Sequence, residues 1–166
     1  MKTCKIGTLI AAVVLAAVAL LAGSAGATIS PDPYSTTSGS GAFNTIGAIG
    51  NGSCNLSGIV VRAAGTAGTI SGFTATGCRG TLQSARFVND IAISSPAGSV
   101  SVDAVVEIGN IFGGTCEYEA ALSGVPNRTS SVTLSGTAVL VRTVSGICRP
   151  SANASVTLTL PGATVA

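Results

Sequence analysis

Val100-Ser101-Val102-Asp103-Ala104-Val105-Val106-Glu107-Ile108 is the stretch that decides the fold. Val100, Val102, Ala104, Val106 and Ile108 alternate with Ser101, Asp103, Val105 and Glu107, which gives an extended chain one apolar face and one largely polar face. A helix would scatter the same residues around its axis. Working outward, Cys116, Tyr118, Ala120 and Leu122 alternate with Glu117, Glu119 and Ala121, and Val156, Leu158 and Leu160 alternate with Thr157 and Thr159. Weaker strand patterns run over 42–49, 53–62, 69–77, 85–94 and 132–144, separated by Gly, Pro and Asn clusters suited to turns. The branched Cβ atoms of Val, Ile and Thr favour strands, and no comparable stretch has an apolar period near 3.6. The expected fold is all-β: an antiparallel β-sandwich or flattened barrel of about eight strands, forming a single domain over 42–166.

The start of the chain has a different character. Lys2 and Lys5 precede an uninterrupted apolar run from Ile6 to Ala22, and Ala25-Gly26-Ala27 supplies the small residues that a signal peptidase reads. Residues 1–27 are therefore expected to be an export signal, cut after Ala27, that leaves no stable membrane span and takes Cys4 with it. Residues 28–41, with Pro31, Asp32, Pro33 and a Ser/Thr/Gly cluster, read as a flexible leader with too little apolar side chain to join a core.

Charge and composition exclude much. The chain has no histidine, which rules out Ser-His-Asp and Cys-His nucleophile pairs, and only 8% of its residues are charged. Its formal net charge of +2 comes from the two lysines of the signal; six arginines and six acids remain, and no basic patch marks a nucleic-acid partner. A nearly uncharged surface also gives little protection against self-association. The glycines between Gly39 and Gly52 lack the Gly-Lys-Ser/Thr ending of a phosphate loop and read as turns.

Beyond the signal stand Cys54, Cys78, Cys116 and Cys148, an even number in an exported chain, where disulfides are the default. Zinc cysteines usually come in pairs about two to four residues apart, unlike these. The segments Thr74-Ala75-Thr76-Gly77-Cys78-Arg79 and Thr143-Val144-Ser145-Gly146-Ile147-Cys148-Arg149 are alike up to one inserted residue, so the chain reads as two related halves. Each half runs from a cysteine preceded by glycine to a cysteine followed by arginine. Pairing within halves gives Cys54 with Cys78 and Cys116 with Cys148, each bridge worth about 3 to 4 kcal/mol by loop entropy.

Two candidate sites emerge. Asp103, Glu107, Glu117 and Glu119 share the outward face of two consecutive strands, with Glu107 opposite Glu117 in one register and Asp103 opposite Glu119 in another. Opposed like charges need neutralising, by Arg86 or Arg142 on a neighbouring strand or by a bound calcium ion. A glycosidase-type acid pair would also need a cleft and an aromatic sugar platform, neither of which is hinted at. The second candidate is Ile111-Phe112 in the Asn110-Ile111-Phe112-Gly113-Gly114 turn, an apolar contact if it stays exposed and an end cap if it folds back. Arg79 and Arg149 occupy equivalent positions in the two halves. No catalytic residue, metal site or cofactor is expected.

In layout the chain resembles small secreted bacterial proteins of the alkane-oxidation protein activator family. The resemblance rests on the signal, the Ser/Thr/Gly-rich β chain and the segments Gly52-Ser53-Cys54, Gly77-Cys78-Arg79, Gly114-Thr115-Cys116 and Ile147-Cys148-Arg149. It implies a non-enzymatic protein of the cell surface, secreted or held in the envelope, that helps cells use hydrophobic hydrocarbons and meets an apolar ligand. The alternative expectation is a structural subunit of an extracellular fibre or biofilm matrix, in which the 28–49 segment adds as a strand to the next subunit's sheet edge.

Overall fold

The computed structural model describes residues 26–46, 51–95 and 98–166. The body of the expected signal, Cys4 included, lies outside the described residues. Strands β1 (Ile29–Ser30), β2 (Tyr34–Ile46), β3 (Gly52–Ala64), β4 (Ala67–Ser71), β5 (Thr74–Gly80) and β6 (Leu82–Phe87) are followed by β7 (Ile91–Ser94), β8 (Val100–Asn110), β9 (Thr115–Gly124), β10 (Ser131–Ser145), β11 (Ser151–Thr159) and β12 (Thr164–Val165). Eight of them close an antiparallel barrel in the order β2-β11-β10-β9-β8-β7-β4-β3, and β2 pairs back onto β3. Each of the eight sequence patterns falls at least in part on a strand, and residues 47–49 of the 42–49 pattern lie outside the described residues.

The barrel is closed, where alternation alone left a sandwich open. Every strand of the ring has a neighbour on both sides; beside the ring, β5 pairs only with β3 and β6 only with β8, so each keeps one unpaired edge among the described residues. The stretch 28–41, expected to be a loose leader outside a domain starting at Ala42, is instead structural. From Tyr34 on it belongs to β2, paired with β3 from Tyr34↔Ala63 to Thr45↔Gly52 and with β11 from Ser40↔Thr159 to Asn153↔Ile46. Upstream, β1 pairs with β12, and Thr28 exchanges two backbone bonds with Ala166. The expected cleavage point after Ala27 thus falls where the chain enters the barrel end, and Ala27 is buried there.

Alternation becomes burial along the wall. On β8 the side chains of Val100, Val102, Ala104, Val106 and Ile108 are buried, as are Cys116, Tyr118, Ala120 and Leu122 on β9. Eight strands enclose a space that side chains can fill or that can hold one small ligand. Here it is filled. Two apolar voids between its described side chains measure about 20 and 10 Å³, room for roughly one water molecule each and far below what a hydrocarbon chain needs.

The 69–77 and 85–94 patterns each split into two strands. β4 and β5 both pair with β3, and they part at Gly72, whose φ of +66° turns the chain; β6 and β7 both pair with β8 and part at Val88–Asp90. Phe73 and Phe87 pack edge to face at the two breaks, ring centroids 4.0 Å apart, and Phe87 meets Phe43 at 6.0 Å. Aromatic volume fills the wall where backbone pairing lapses.

Candidate functional site

Both disulfides form with the pairing read from the two halves: Cys54 with Cys78 and Cys116 with Cys148. Each joins a fully buried strand cysteine, Cys54 or Cys116, to a partly buried partner. Two bridges fit an oxidising extracellular or periplasmic compartment. Among the described residues no helix is long and apolar enough to cross a membrane.

The acids take the register that sets Glu107 opposite Glu117. Arg86 stands beside Glu107 on β6 and Arg142 beside Glu117 on β10, so one row across four strands reads Arg86, Glu107, Glu117, Arg142. Both ends close. Arg86 Nη2 lies 3.1 Å from Glu107 Oε1, and Arg142 Nη2 lies 2.6 Å from Glu117 Oε2. The guanidiniums are largely exposed, so the pairs chiefly relieve the repulsion of the opposed carboxylates. Asp103 and Glu119 lie off this row, opposite Ala121 and Val105. Among the described residues no cluster of three or more acidic, cysteine or histidine side chains is grouped to hold a metal ion.

Ile111 and Phe112 belong to a larger construction. Strands β2, β5, β8 and β10 all end at the same end of the barrel, where Asn51 and the connections after β5, β8 and β10 make one rim. The Thr81 N–H donates to the Asn51 carbonyl at 3.2 Å, and the Ile111 N–H donates to the Thr81 carbonyl at 3.1 Å. Buried Asn110 then shapes the β8–β9 turn: its Oδ1 accepts from the N–H groups of Phe112, at 2.9 Å, and Gly114, at 3.1 Å. The β10–β11 connection closes on that turn. Gly146, at a φ of +67°, packs on Gly114, where any side chain would collide with the neighbouring backbone. The Cys116–Cys148 bridge and a 3.0 Å bond from the Tyr118 hydroxyl to the Arg149 carbonyl fasten the same loop to β9.

The rim presents large apolar side chains. Phe112 is 80% exposed and Ile147 is 89% exposed, on loops whose backbones touch, with Ile111 and Val144 about half exposed beside them. Large side chains left in water at this extent, on backbone fixed by a buried amide and a disulfide, make this the candidate contact surface of the barrel. The alternative that Phe112 folds back over the barrel end is thereby corrected: it points away from the core. Sequence reading missed Ile147, Val144 and the ordering role of Asn110. Ile147 carried the same signal as Phe112, a large apolar residue next to a turn glycine.

Tyr118 links the rim to the core. Burial holds its phenol above the ordinary value of 10. An unfolded chain would release this proton near pH 10, before the folded chain does, so the contribution to stability is intact below that pH and declines as pH rises toward the folded value. Urea unfolding is expected to give constant stability from pH 7 to about 9 and a loss above about 10. Tyr118→Phe should remove that part of the decline; an identical alkaline limb in the variant would contradict the assignment.

Fold and rim together define a class: a disulfide-bonded, closed antiparallel β-barrel with a filled interior and a fixed apolar rim. No family model, curated protein or solved structure matches the chain.

Proposed function

We propose that this is a non-enzymatic accessory protein of the cell surface or envelope that works by contact, pressing its rim against an apolar phase. The supporting observation is the exposure of Phe112 and Ile147 on adjoining, covalently fastened loops. Voids of about 20 and 10 Å³ between the described core side chains are too small for a hydrocarbon chain, which favours an apolar contact at the surface over one in the interior. A role in hydrocarbon use, implied by the family resemblance, is then a role at the hydrocarbon–water boundary. The fibre reading loses its donor strand, since residues 34–46 already close this molecule's own wall.

Adsorption to emulsified hexadecane tests the proposal. The purified protein should leave the aqueous phase with the droplets, and Phe112→Ser/Ile147→Ser should reduce the adsorbed fraction at least about tenfold, each residue being worth roughly 1.5–3 kcal/mol when buried. Thermal unfolding should be unchanged, because neither side chain contributes to the core. Equal adsorption by the variant would overturn the proposal.

A further inference from the structure

The rim carries charge as well as apolar surface. Of the six acids, Glu107 and Glu117 are bound to Arg86 and Arg142, and Asp32, Asp90, Asp103 and Glu119 lie on other parts of the barrel. Arg79 stands near the end of β5, paired with Ser53 and beside Asn44, Ile46 and Ser155 on the wall next to the rim, and Arg149 follows Cys148 in the β10–β11 connection, so both lie at this end of the barrel. Both are exposed, and neither forms an ion pair with a described residue. The masked segments contain no acid that could pair with them. One end of the barrel therefore combines protruding Phe112 and Ile147 with two unneutralised guanidiniums.

We infer that the rim docks on an anionic lipid bilayer, with Phe112 and Ile147 inserted among the acyl chains and Arg79 and Arg149 on the lipid phosphates. This deepens the contact reading above and rests on it. Charge decides among the partners for such a surface. A droplet of pure hydrocarbon offers the guanidiniums nothing, whereas a phosphate accepts a forked pair of hydrogen bonds from each. A second copy meeting rim to rim would bring four guanidiniums together without an acid between them. A membrane surface supplies anionic headgroups over an apolar layer, in the order the rim requires. Asn110, the Cys116–Cys148 bridge and the Gly146–Gly114 packing fix the insertion loops beforehand, so little ordering remains to be done on docking.

The chain contains no tryptophan, so Phe112→Trp places a single indole at the contact. Titrated with phosphatidylglycerol vesicles, this variant should show a blue shift in emission and co-sediment, about tenfold more tightly than with phosphatidylcholine vesicles, and high salt should remove most of that preference. Arg79→Gln/Arg149→Gln should bring the two vesicle types to the same affinity. Ile147→Ser should weaken binding to both about tenfold while leaving the unfolding temperature alone.

Failure to bind phosphatidylglycerol vesicles, equal affinity for both lipids, or an unchanged preference after removing the arginines would overturn the inference. So would concentration-dependent dimerisation that Ile147→Ser abolishes in the absence of vesicle binding, which would assign the rim to a second copy. Hexadecane adsorption separates the two levels: if it persists while vesicle binding fails, the contact reading stands and the lipid assignment falls; if both fail, both fall.

Discussion

A chain shortened to begin at Ala42 is expected to lose the native barrel altogether. The deletion removes Ile29 and Tyr34, both buried, and with them the 2.9 Å bond from the Tyr34 hydroxyl to the Pro161 carbonyl. Loss of a buried aromatic ring alone costs about 3–5 kcal/mol, a large part of a typical domain's 5–15 kcal/mol. The backbone consequence is larger. More than half of β2 disappears, leaving Ile59–Ala63 of β3 and Leu158–Thr159 of β11 without their partners on that side. Two unpaired edges with apolar inner faces invite intermolecular pairing. Circular dichroism and size exclusion should show a shortened chain that melts without a cooperative transition and elutes as aggregate. A sharp transition near that of the intact protein would restore the view of residues 28–41 as a dispensable leader.

That segment shows why the sequence could be read so well in one place and not in another. Alternation is informative where one side chain in two is driven into a core, as in β8 and β9, and both strands were legible almost to their ends. In β2 the run Ser35-Thr36-Thr37-Ser38-Gly39-Ser40 has little apolar area to alternate, and it is held largely by its pairing with β3, joined by β11 only from Ser40. Gly39 is buried because it lacks a side chain: a Cβ there would press on the Ile59 backbone. Tyr34 was the one legible signal, an isolated aromatic residue in an otherwise polar stretch. Closure was also hidden, since it depends on β2 meeting β3 through register shifts around Gly39, and a periodicity of two carries no information about which strand completes the ring.

The site was partly legible for related reasons. Disulfide pairing followed from the likeness of two local segments, and the Glu107–Glu117 register from the spacing of two strong strands. Ile111 and Phe112 stood out because their turn is short and rich in glycine. Their union with Ile147 and Arg149 was not visible, because it is made by the long β10 hairpin, which carries the β10–β11 connection up beside the β8–β9 turn. The Arg79 contribution arrives through another tertiary contact, the Thr81–Ile111 bond. Chemistry was written locally, and its assembly was not.

Cys116→Ala/Cys148→Ala and Cys54→Ala/Cys78→Ala are expected to lower stability alike but to differ in rim contact. The bridges span 32 and 24 residues, and loop entropy depends only logarithmically on that length, so each removal costs about 3–4 kcal/mol, roughly 10 °C in Tm for a chain of this size. Their positions set them apart. Cys54 and Cys78 join paired strands β3 and β5, whose ladder continues on either side of the bridge. Cys148 lies in a connection whose other attachments include the Tyr118–Arg149 bond and the 2.9 Å bond from the Leu140 N–H to the Pro150 carbonyl. Freed from Cys116, that connection can carry Ile147 away from Phe112, and two apolar groups that inserted together must then be ordered at the moment of contact. The Cys116/Cys148 variant, measured well below its Tm, should therefore adsorb to hexadecane several-fold less than the Cys54/Cys78 variant. Equal adsorption would mean that the bridge stabilises the barrel without shaping its working surface.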